Sequence, residues 1–219
     1  MSVTLRAEDL HFAFPSGFSV GPVDLRLGVG LHWLQGPNGG GKTTLLRCLC
    51  GALSPDRGGV SVHGRDPLRD HGARGLVSLM PAEPDLPEFL RVREAWQLAA
   101  ALRGAPGWDG VSPMGELGLP PALLLEHASR GQRRKADLLA ALAGDPPVLL
   151  LDEPFAGLDS QSQDLLVRWL EAWRSDRTVL LTSHGSPPVE PCSIAELRAG
   201  ESLRWVHPGL VRPEARGRV

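Results

Sequence analysis

A glycine-rich run between a predicted strand and a predicted helix constrains this chain more than any other part of its sequence. Residues 36–43 read Gly-Pro-Asn-Gly-Gly-Gly-Lys-Thr and fit the pattern G-x-x-x-x-G-K-[ST]. Residues 30–35 predict the strand, and Leu45, Leu46 and Leu49 form one face of the helix that follows. Glycines let such a loop wrap tightly, so that main-chain N–H groups point inward at phosphate oxygens. The start of the helix adds partial positive charge, and the run therefore predicts a phosphate-binding loop.

Two side chains of this loop carry specific chemistry. Lys42 would supply a mobile positive charge for the outer phosphates, and the hydroxyl of Thr43 can bind Mg²⁺. Of the 23 basic residues only Lys42 and Lys135 are lysines, so an incidental lysine in a glycine-rich turn, which is the alternative, is disfavoured. The residues expected to hold the phosphates are Gly36, Pro37, Asn38, Gly39, Gly40, Gly41, Lys42, Thr43 and Thr44.

Two acids follow a second predicted strand. Residues 148–151 are a continuous apolar run, which is typical of a strand buried on both faces of a parallel sheet. Asp152 would reach the Mg²⁺ through water, and Glu153 would polarise an attacking water or hold it in line with the γ-phosphate. Taken alone, two acids in this place are often only a solvated strand end. Beside a phosphate-binding loop we expect them to complete a metal and hydrolysis site.

The order of the predicted elements indicates the fold class. Strands at 58–64, 76–80, 148–151 and 178–182 alternate with helices at 131–143 and 161–174, which predicts an α/β fold with a mostly parallel sheet. Ligands bind such sheets at the carboxyl ends of the strands. Near the N-terminus, residues 3–7 and 23–27 alternate apolar and polar, as half-exposed strands do, with turns predicted at 15–17 and 21–22.

The middle of the chain differs in character. From about 85 to 130 there is no strand signal, and the periodicity predicts a small helical subdomain inserted into the sheet. Residues 1–206 are therefore predicted to form a single domain. The last residues, 207–219, mix proline, glycine and arginine without periodicity and predict a loose tail.

Composition excludes several classes of protein. The chain has 219 residues and a net charge of −2, which gives no general affinity for nucleic acid or anionic lipid, and we expect no nucleic-acid partner. Three cysteines without metal-ligand spacing are typical of a reducing compartment. The first ten residues do not resemble a signal peptide, and no apolar run is long enough for a membrane span. We therefore expect a cytoplasmic chain that acts at a membrane only through a partner.

Five motifs now carry a family resemblance. The runs GPNGGGKTT (36–44), ASRGQ (128–132), LLLDEP (149–154) and AGLD (156–159), with His184 after a strand, resemble the Walker A, signature, Walker B, D-loop and switch-histidine motifs of ABC ATPases. Their order and gaps match the family, with 23 residues from Ser129 to Asp152 and 32 from Asp152 to His184. The resemblance extends from about residue 3 to 205. It implies a P-loop NTPase (RecA-like) fold with an N-terminal antiparallel β subdomain, and a Mg²⁺-dependent ATPase.

The resemblance also implies roles for individual residues. Ser129, Gly131 and Gln132 would bind the γ-phosphate of an ATP held by a second subunit, and Asp159 would act across the dimer interface. His184 would contact the γ-phosphate and hold Glu153 and the water, which makes Glu153, His184 and Lys42 the expected catalytic residues. Phe14 would stack on adenine, with Phe12 as the second choice and a buried strand phenylalanine as the alternative. The cations Arg130, Arg133, Arg134 and Lys135 crowd a helix N-terminus, which an incoming triphosphate would relieve; a nucleic-acid patch is the rival explanation.

The expected partners follow from the same resemblance. They are a second ABC ATPase subunit, in a homodimer or a heterodimer, and integral membrane transporter subunits, with the chain peripheral on the inner face of the cell membrane. ATP would close the dimer and hydrolysis would reopen it, and the compact length resembles small exporter ATPases, including the haem-exporter type. The alternative is a low-turnover, ATP-gated regulatory subunit in an asymmetric heterodimer. A soluble ABC protein acting on ribosomes or DNA is disfavoured, since those usually carry paired cassettes or long insertions.

The sequence departs from the family pattern at two places. Ala82 stands where the family has a glutamine that reaches the Mg²⁺ and the attacking water, and Glu83 beside it is a poor electrostatic substitute near a γ-phosphate. In the signature motif, Ala128 replaces the usual leucine and Arg130 the first glycine. We therefore expect a working but slow ATPase, with coupling to the membrane subunits affected more than ATP binding.

Overall fold

Two β-sheets form the framework of the computed structural model, which describes residues 3–105 and 111–207. The strands in chain order are β1 (Leu5–Ala13), β2 (Ser19–Leu27), β3 (Gly30–Gln35), β4 (Arg57–Val62), β5 (Val77–Met80), β6 (Val148–Leu151), β7 (Thr178–Thr182), β8 (Ser193–Glu196) and β9 (Arg204–His207). The helices are α1 (Lys42–Leu49), α2 (His71–Gly75), α3 (Val92–Leu102), α4 (Val111–Glu116), α5 (Arg130–Leu142) and α6 (Ser160–Trp173), with a 3₁₀ turn at Leu125–His127.

The larger sheet has the order β5-β6-β7-β3-β8-β9. All its neighbouring strands are parallel except β8 and β9, which pair antiparallel at one edge. The prediction of a mostly parallel α/β sheet is therefore confirmed. Because the strands run the same way, the polar residues after β3, β6 and β7 come together at one edge of the sheet.

The smaller sheet, β2-β1-β4, is antiparallel and lies near the N-terminus, as the resemblance implies. The turn predicted at 15–17 is present, but the turn predicted at 21–22 is wrong, because both residues lie within β2. A Cβ on Gly21 would lie 2.2 Å from the carbonyl oxygen of Leu10, and Gly21 has φ 109°. This glycine lets β2 approach β1 closely rather than reverse the chain.

Apolar side chains form two cores, one on each face of the larger sheet. Leu149 and Leu151 of β6 belong to the core shared with α3, α5 and α6, whereas Val148 and Leu150 belong to the core shared with α1 and the smaller sheet. Alternate side chains of a strand point to opposite faces. The continuous apolar run that predicted β6 is therefore apolar because both faces of this strand are covered.

The segment between β5 and β6 is helical where it is described. It contains α3, α4, the 3₁₀ turn and α5, and within 85–105 and 111–130 its only β pairing is an isolated bridge between Arg91 and Leu124. Residues 106–110 lie outside the described part of the chain. So do residues 208–219 of the predicted tail, whereas His207, the first residue of that range, ends β9. No helix within 3–105 and 111–207 is long and apolar enough to cross a bilayer.

Candidate functional site

A cavity of about 510 Å³ opens at the carboxyl ends of β3, β6 and β7. The glycine-rich loop and the start of α1 form one wall, and residues that follow β5, β6 and β7 form the other. The lining residues are Phe18, Asn38, Gly39, Gly40, Gly41, Lys42, Thr43, Thr44, Ala82, Asp152, Glu153 and His184.

The loop takes its shape from glycines at which a side chain would collide with other segments. A Cβ on Gly36 would lie 2.1 Å from the carbonyl oxygen of Leu197, and one on Gly41 would lie 2.4 Å from a methyl carbon of Val20. Gly41 has φ 94° and is the N-cap of α1, and no described side chain caps this helix. The first N–H groups of α1 therefore remain available to an anion.

Lys42 is buried, with 8% of its surface exposed. Its ammonium donates to the main-chain carbonyls of Gly36, at 2.9 Å, and Pro37, at 3.1 Å. Gly36 and Pro37 do not line the cavity themselves. Their carbonyls hold the ammonium of Lys42 at the cavity wall. Because lysine is a point charge on a flexible stem, these bonds can be exchanged for bonds to phosphate oxygens.

Thr43 and Asp152, the predicted metal ligands, meet in the structure. The Thr43 hydroxyl donates to Oδ2 of Asp152 at 2.6 Å, and the Thr182 hydroxyl donates to Oδ1 at 2.6 Å. Asp152 is 2% exposed, so both carboxylate oxygens are held in place. Sequence analysis missed Thr182, although its place at the end of β7, beside β6, was a usable signal.

The donor set at Thr43 and Asp152 fits a small hard cation. A hydroxyl and a carboxylate offer oxygen ligands, which Mg²⁺ prefers, and Mg²⁺ in nucleotide sites usually keeps water and phosphate oxygens as its other ligands. Within the described residues no group of three or more histidine, cysteine or carboxylate side chains forms a metal site on its own. A metal here would therefore need the phosphates of a nucleotide to complete its ligands.

Glu153 adopts a left-handed backbone conformation, with φ 50°. Its N–H donates to the Thr182 hydroxyl at 2.9 Å, and its Oε2 accepts from the N–H of His184 at 3.0 Å. The Nε2 of His184 lies 4.0 Å from the same oxygen. The Glu153 side chain is 14% exposed and that of His184 is 66% exposed, so a sheltered carboxylate lies behind an imidazole open to solvent.

The aromatic residue at the cavity is Phe18 rather than Phe14. The structure places Phe14 outside the lining, with its ring 5.7 Å from that of Phe18 and 4.8 Å from that of Phe12, the second choice. Phe18 lies close to Gly41 at the loop, with its ring tip 3.5 Å from where a Cβ of Gly41 would be. The reason for the difference is that Phe18 precedes β2, which passes beside the loop.

Ser129, Gly131, Gln132 and Asp159 lie outside the lining of this cavity. Ser129 is the N-cap of α5, and its hydroxyl accepts from the N–H of Gln132 at 3.2 Å while the Gln132 side chain accepts from the N–H of Ser129 at 2.9 Å. Asp159 is the N-cap of α6 and pairs with Lys135 at 2.7 Å. The hydrogen bond from Lys135, with that from the N–H of Ser162, lowers the pKa of Asp159 to about 2.

The cations at the start of α5 already have acceptors within the same chain. Neighbouring acids and carbonyls therefore already offset part of their crowding, and its relief by an incoming triphosphate stays a prediction. The same contacts remove the need to explain the cluster as a nucleic-acid patch. The contacts are those of Arg130 with Glu83, Arg133 with Glu88, Lys135 with Asp159, and Arg134 with main-chain carbonyls.

Comparisons with known proteins agree with this geometry. The family model described as ABC transporter matches residues 23–156. The probable multidrug ABC transporter ATP-binding protein YbhF of Escherichia coli K12 is 32% identical over 233 aligned residues, which cover 94% of this chain but only 40% of YbhF. The chain thus spans less than half the length of that relative. The cytochrome c biogenesis ATP-binding export protein CcmA of Xanthomonas axonopodis pv. citri is 34% identical over 195 residues, which cover 84% of this chain and 90% of CcmA.

Solved structures have the same fold. An ATP-binding subunit of an ABC transporter superposes with a TM-score of 0.78 and 26% identity over 89% of this chain and 86% of that one. The ATP-binding cassette MJ0796, in a dimeric post-hydrolysis state bound to ADP and Pi, has a TM-score of 0.74 at 19% identity, over 89% of this chain and 94% of that one. At that identity the second likeness supports the fold alone.

Proposed function

Because the chain belongs to the ABC transporter family, as an ATP-binding subunit, we propose that it binds Mg·ATP in the cavity at the glycine-rich loop and hydrolyses it to power transport. The observation that carries this proposal is the meeting of Thr43, Asp152, Glu153 and His184 beside the loop, with Lys42 held at its wall. These side chains come from three separate segments, and each has the chemistry that phosphoryl transfer to water requires.

The loop residues bind and orient the phosphates. Main-chain N–H groups between Asn38 and Thr44 would surround the phosphate oxygens, apart from that of Gly40, which donates to the Pro37 carbonyl at 3.0 Å. Lys42 would release the carbonyls of Gly36 and Pro37 to reach the outer phosphates. Thr43 and Asp152 would hold Mg²⁺, Asp152 through water. The ion would neutralise charge on the β- and γ-phosphates.

Glu153 and His184 act on the attacking water. The Glu153 carboxylate is sheltered and fixed by the N–H of His184, so it can hold a water by one oxygen and accept its proton as the bond to phosphorus forms. The exposed imidazole of His184 can turn to the γ-phosphate, and the leaving ADP takes the electron pair of the broken P–O bond. Ala82 adds no hydrogen bond to this water, which supports slow turnover.

A second subunit would complete the site. Ser129, Gly131 and Gln132 stand at the exposed start of α5 and Asp159 at the start of α6, away from the cavity of their own chain. Helix N-termini bind anions, so these residues would cap an ATP held by the loop of a facing subunit, in a homodimer or a heterodimer. ATP would favour the closed pair by the difference in its affinity for the closed and open states.

Membrane subunits are the proposed second partner. A separate cavity of about 510 Å³ lies between the residues that follow β5 and the helices α3 and α5. Phe89, Leu98 and Leu102 are large apolar side chains that stand exposed in the same inserted segment, where 77% of Leu102 is open to solvent. A cytoplasmic segment of an integral membrane subunit would cover this region. The chain would then be peripheral on the inner face of the cell membrane, as an exporter subunit like CcmA.

ATP hydrolysis by the purified chain tests the proposal. We expect Mg²⁺-dependent release of phosphate, lost in Glu153→Gln, and a loss of ATP affinity of roughly tenfold or more in Lys42→Ala, because a charge-assisted hydrogen bond contributes about 1.5–3 kcal/mol. Arg47→Ala is the matched control, since it removes an exposed cation from the same helix. Unchanged ATP affinity in Lys42→Ala contradicts the proposed site.

A second candidate function is supported by Ala82, whose methyl group lines the cavity where an amide would bind metal and water. On that proposal the chain is a low-turnover, ATP-gated subunit beside a more active partner. The same experiment separates the two. A wild-type chain that binds Mg·ATP but hydrolyses it no faster than Glu153→Gln is a regulatory subunit.

A further inference from the structure

Arg134 is a charged side chain that the proposed mechanism does not use. It lies on α5 with 2% of its surface exposed, and burial lowers the pKa of its guanidinium. Within the described part of the chain, the Arg134 guanidinium donates its hydrogen bonds to main-chain carbonyl oxygens. The acceptors are Pro81, Glu153 at 3.1 Å, Asp152 at 3.4 Å and Ala156 at 3.4 Å.

These carbonyls belong to two segments, both of which contribute residues to the lining of the ATP cavity. Pro81 follows β5, and Asp152, Glu153 and Ala156 lie in the loop between β6 and α6. The guanidinium is a rigid planar fork with five N–H donors, so it can satisfy several separated acceptors at once. A buried carbonyl that loses its donor costs free energy. Arg134 therefore fixes the loop after β5 and the loop after β6 relative to each other.

Glu153 depends on this arrangement more than its neighbours do. Its left-handed backbone, with φ 50°, is unfavourable for a residue with a side chain and persists only where surrounding contacts enforce it. The contacts are the Thr182 hydroxyl at its N–H, the His184 N–H at its carboxylate, and two donors at its carbonyl, Arg134 at 3.1 Å and the Ala156 N–H at 3.0 Å. Of these four contacts, only that of Arg134 comes from the helical segment between β5 and β6.

The helix that carries Arg134 is capped by Ser129, five residues earlier. A helix transmits a displacement of its first turn to its second without much loss, because its hydrogen bonds link each residue to the fourth along. Arg134 thus connects the proposed ATP-capping end of α5 to the backbone of Glu153. Ala82 has no side chain that could make such a connection from the loop after β5.

We propose that Arg134 is a positioning residue for hydrolysis, which holds Glu153 in its left-handed conformation and links the alignment of its carboxylate to α5. The inference rests on the proposed function, because Glu153 must orient the water for its alignment to matter. Arg134 itself is buried and does not line the cavity proposed to hold ATP.

The test compares Arg134→Met and Arg134→Lys with the wild type in ATP affinity, kcat and Tm. We expect ATP affinity to stay within about threefold, since the phosphate loop is unchanged. We expect kcat to fall on the order of 100-fold in Arg134→Met, which is the effect of a misplacement of about 1 Å in a catalytic group. Arg134→Lys keeps the charge but not the fork, so its kcat should be intermediate.

Arg177→Met is the matched control for loss of a largely buried arginine. The Arg177 side chain is 15% exposed and pairs with Asp145 before β6, at the opposite end of the sheet from Glu153. The Arg177→Met variant should have a lower Tm than the wild type, while its kcat stays within about twofold of the wild-type value.

The outcomes are distinct. A wild-type kcat in folded Arg134→Lys and Arg134→Met overturns the inference, as does a fall in kcat matched by an equal fall in Arg177→Met. If Arg134→Met does not fold, the kcat of Arg134→Lys alone tests the inference, and a wild-type kcat in that variant overturns it. An inactive wild type would instead refute the hydrolytic function and leave the ATP-gated alternative.

Discussion

At the scale of single residues, Phe18 and Phe14 separate a family expectation from the observed geometry. The resemblance points to Phe14, whereas Phe18 lines the cavity and Phe14 packs behind it. Positions near the start of a strand are difficult to align by sequence alone, since the turn at 15–17 decides which ring faces the loop.

The first prediction follows from this difference. Phe18→Ala should weaken ATP binding by about 1–3 kcal/mol, the value of a base stacked on an aromatic ring, and Phe14→Ala should weaken it less. Titration of each variant with a fluorescent ATP analogue measures both. A larger effect from Phe14→Ala restores the family expectation.

Asp137 is a buried carboxyl whose ionisation opposes folding. Burial raises its pKa to about 6, against a hydrogen bond from the N–H of Asp85 and the charge of Arg134, which lower it. Its Oδ2 is buried without a hydrogen-bond partner in the described residues. The folded chain therefore keeps this proton to a higher pH than the unfolded chain, so the free energy of unfolding falls as pH rises from about 4 to 6.

The second prediction is a pH-dependent stabilisation by Asp137→Asn. The variant should be more stable than the wild type at pH 8, by about 3 kcal/mol at most, because each unit of pKa shift corresponds to about 1.4 kcal/mol. The gain should almost disappear at about pH 3, below the pKa of the carboxyl in both the folded and the unfolded chain. Denaturant unfolding at both pH values measures it. Asp164→Asn, an exposed carboxylate on α6, should show no such dependence, and a gain of equal size at both pH values would count against a buried ionisation.

At the scale of secondary structure, the beginnings of three helices carry the proposed chemistry. The start of α1 has no side-chain cap among the described residues and faces its own cavity, whereas α5 and α6 are capped by Ser129 and Asp159 and face outward. The uncapped start of α1 leaves its first N–H groups free to bind a ligand in the cavity of the same chain. The capped starts of α5 and α6 would present the Ser129 hydroxyl and the Asp159 carboxylate to a second subunit.

The third prediction uses the cap of α5. Ser129→Ala removes a capping hydroxyl, so the chain should lose about 1 kcal/mol of stability. Ser129→Asp keeps an equally good cap but places a negative charge where a second subunit's γ-phosphate would lie. In a Glu153→Gln background we therefore expect Ser129→Asp to keep its Tm and its monomer ATP affinity but to lose ATP-dependent dimerisation, measured by light scattering. Dimerisation equal to that of the Glu153→Gln parent would exclude the proposed capping role.

At the scale of the whole molecule, the two cores and the parallel strands together explain why the site is built at the sheet edge. The cores cover both faces of the larger sheet and leave its edge open, and the parallel direction of β3, β6 and β7 brings the residues that follow them to that edge. ATP would bind segments from both cores at once, the loop and α1 on one side and the residues after β6 on the other. Binding to the folded state alone stabilises the fold by mass action.

The fourth prediction is a thermal shift. Mg·ATP at 100 times its Kd should stabilise the chain by about 2.7 kcal/mol, which for a domain of this size corresponds to roughly 5–10 °C in Tm. Glu153→Gln should show the full shift, and Lys42→Ala should show little at the same concentration. Differential scanning fluorimetry checks this, and an equal shift in Lys42→Ala would mean that ATP binds elsewhere.

The family relationship was predictable from sequence, and so was much of the fold. β6 and β7 have the predicted bounds, and α5 and α6 each begin one residue before the predicted start. β8 and β9 were not predicted, because β8 is short and forms by pairing with β3, far away in the chain.

The sequence by itself determined the phosphate loop and the acids after β6, since both depend on the order of neighbouring residues. The loop also needs glycines at positions where a Cβ would collide with another segment. Only the tertiary structure decided that Phe18 lines the cavity, that Thr182 holds Asp152, and that Arg134 holds the backbone of Glu153. Arg134 and Glu153 are 19 positions apart in the chain, and Asp152 and Thr182 are 30 positions apart. Such contacts depend on how two cores pack around one sheet, and packing of this kind leaves no periodic or local signal in the chain.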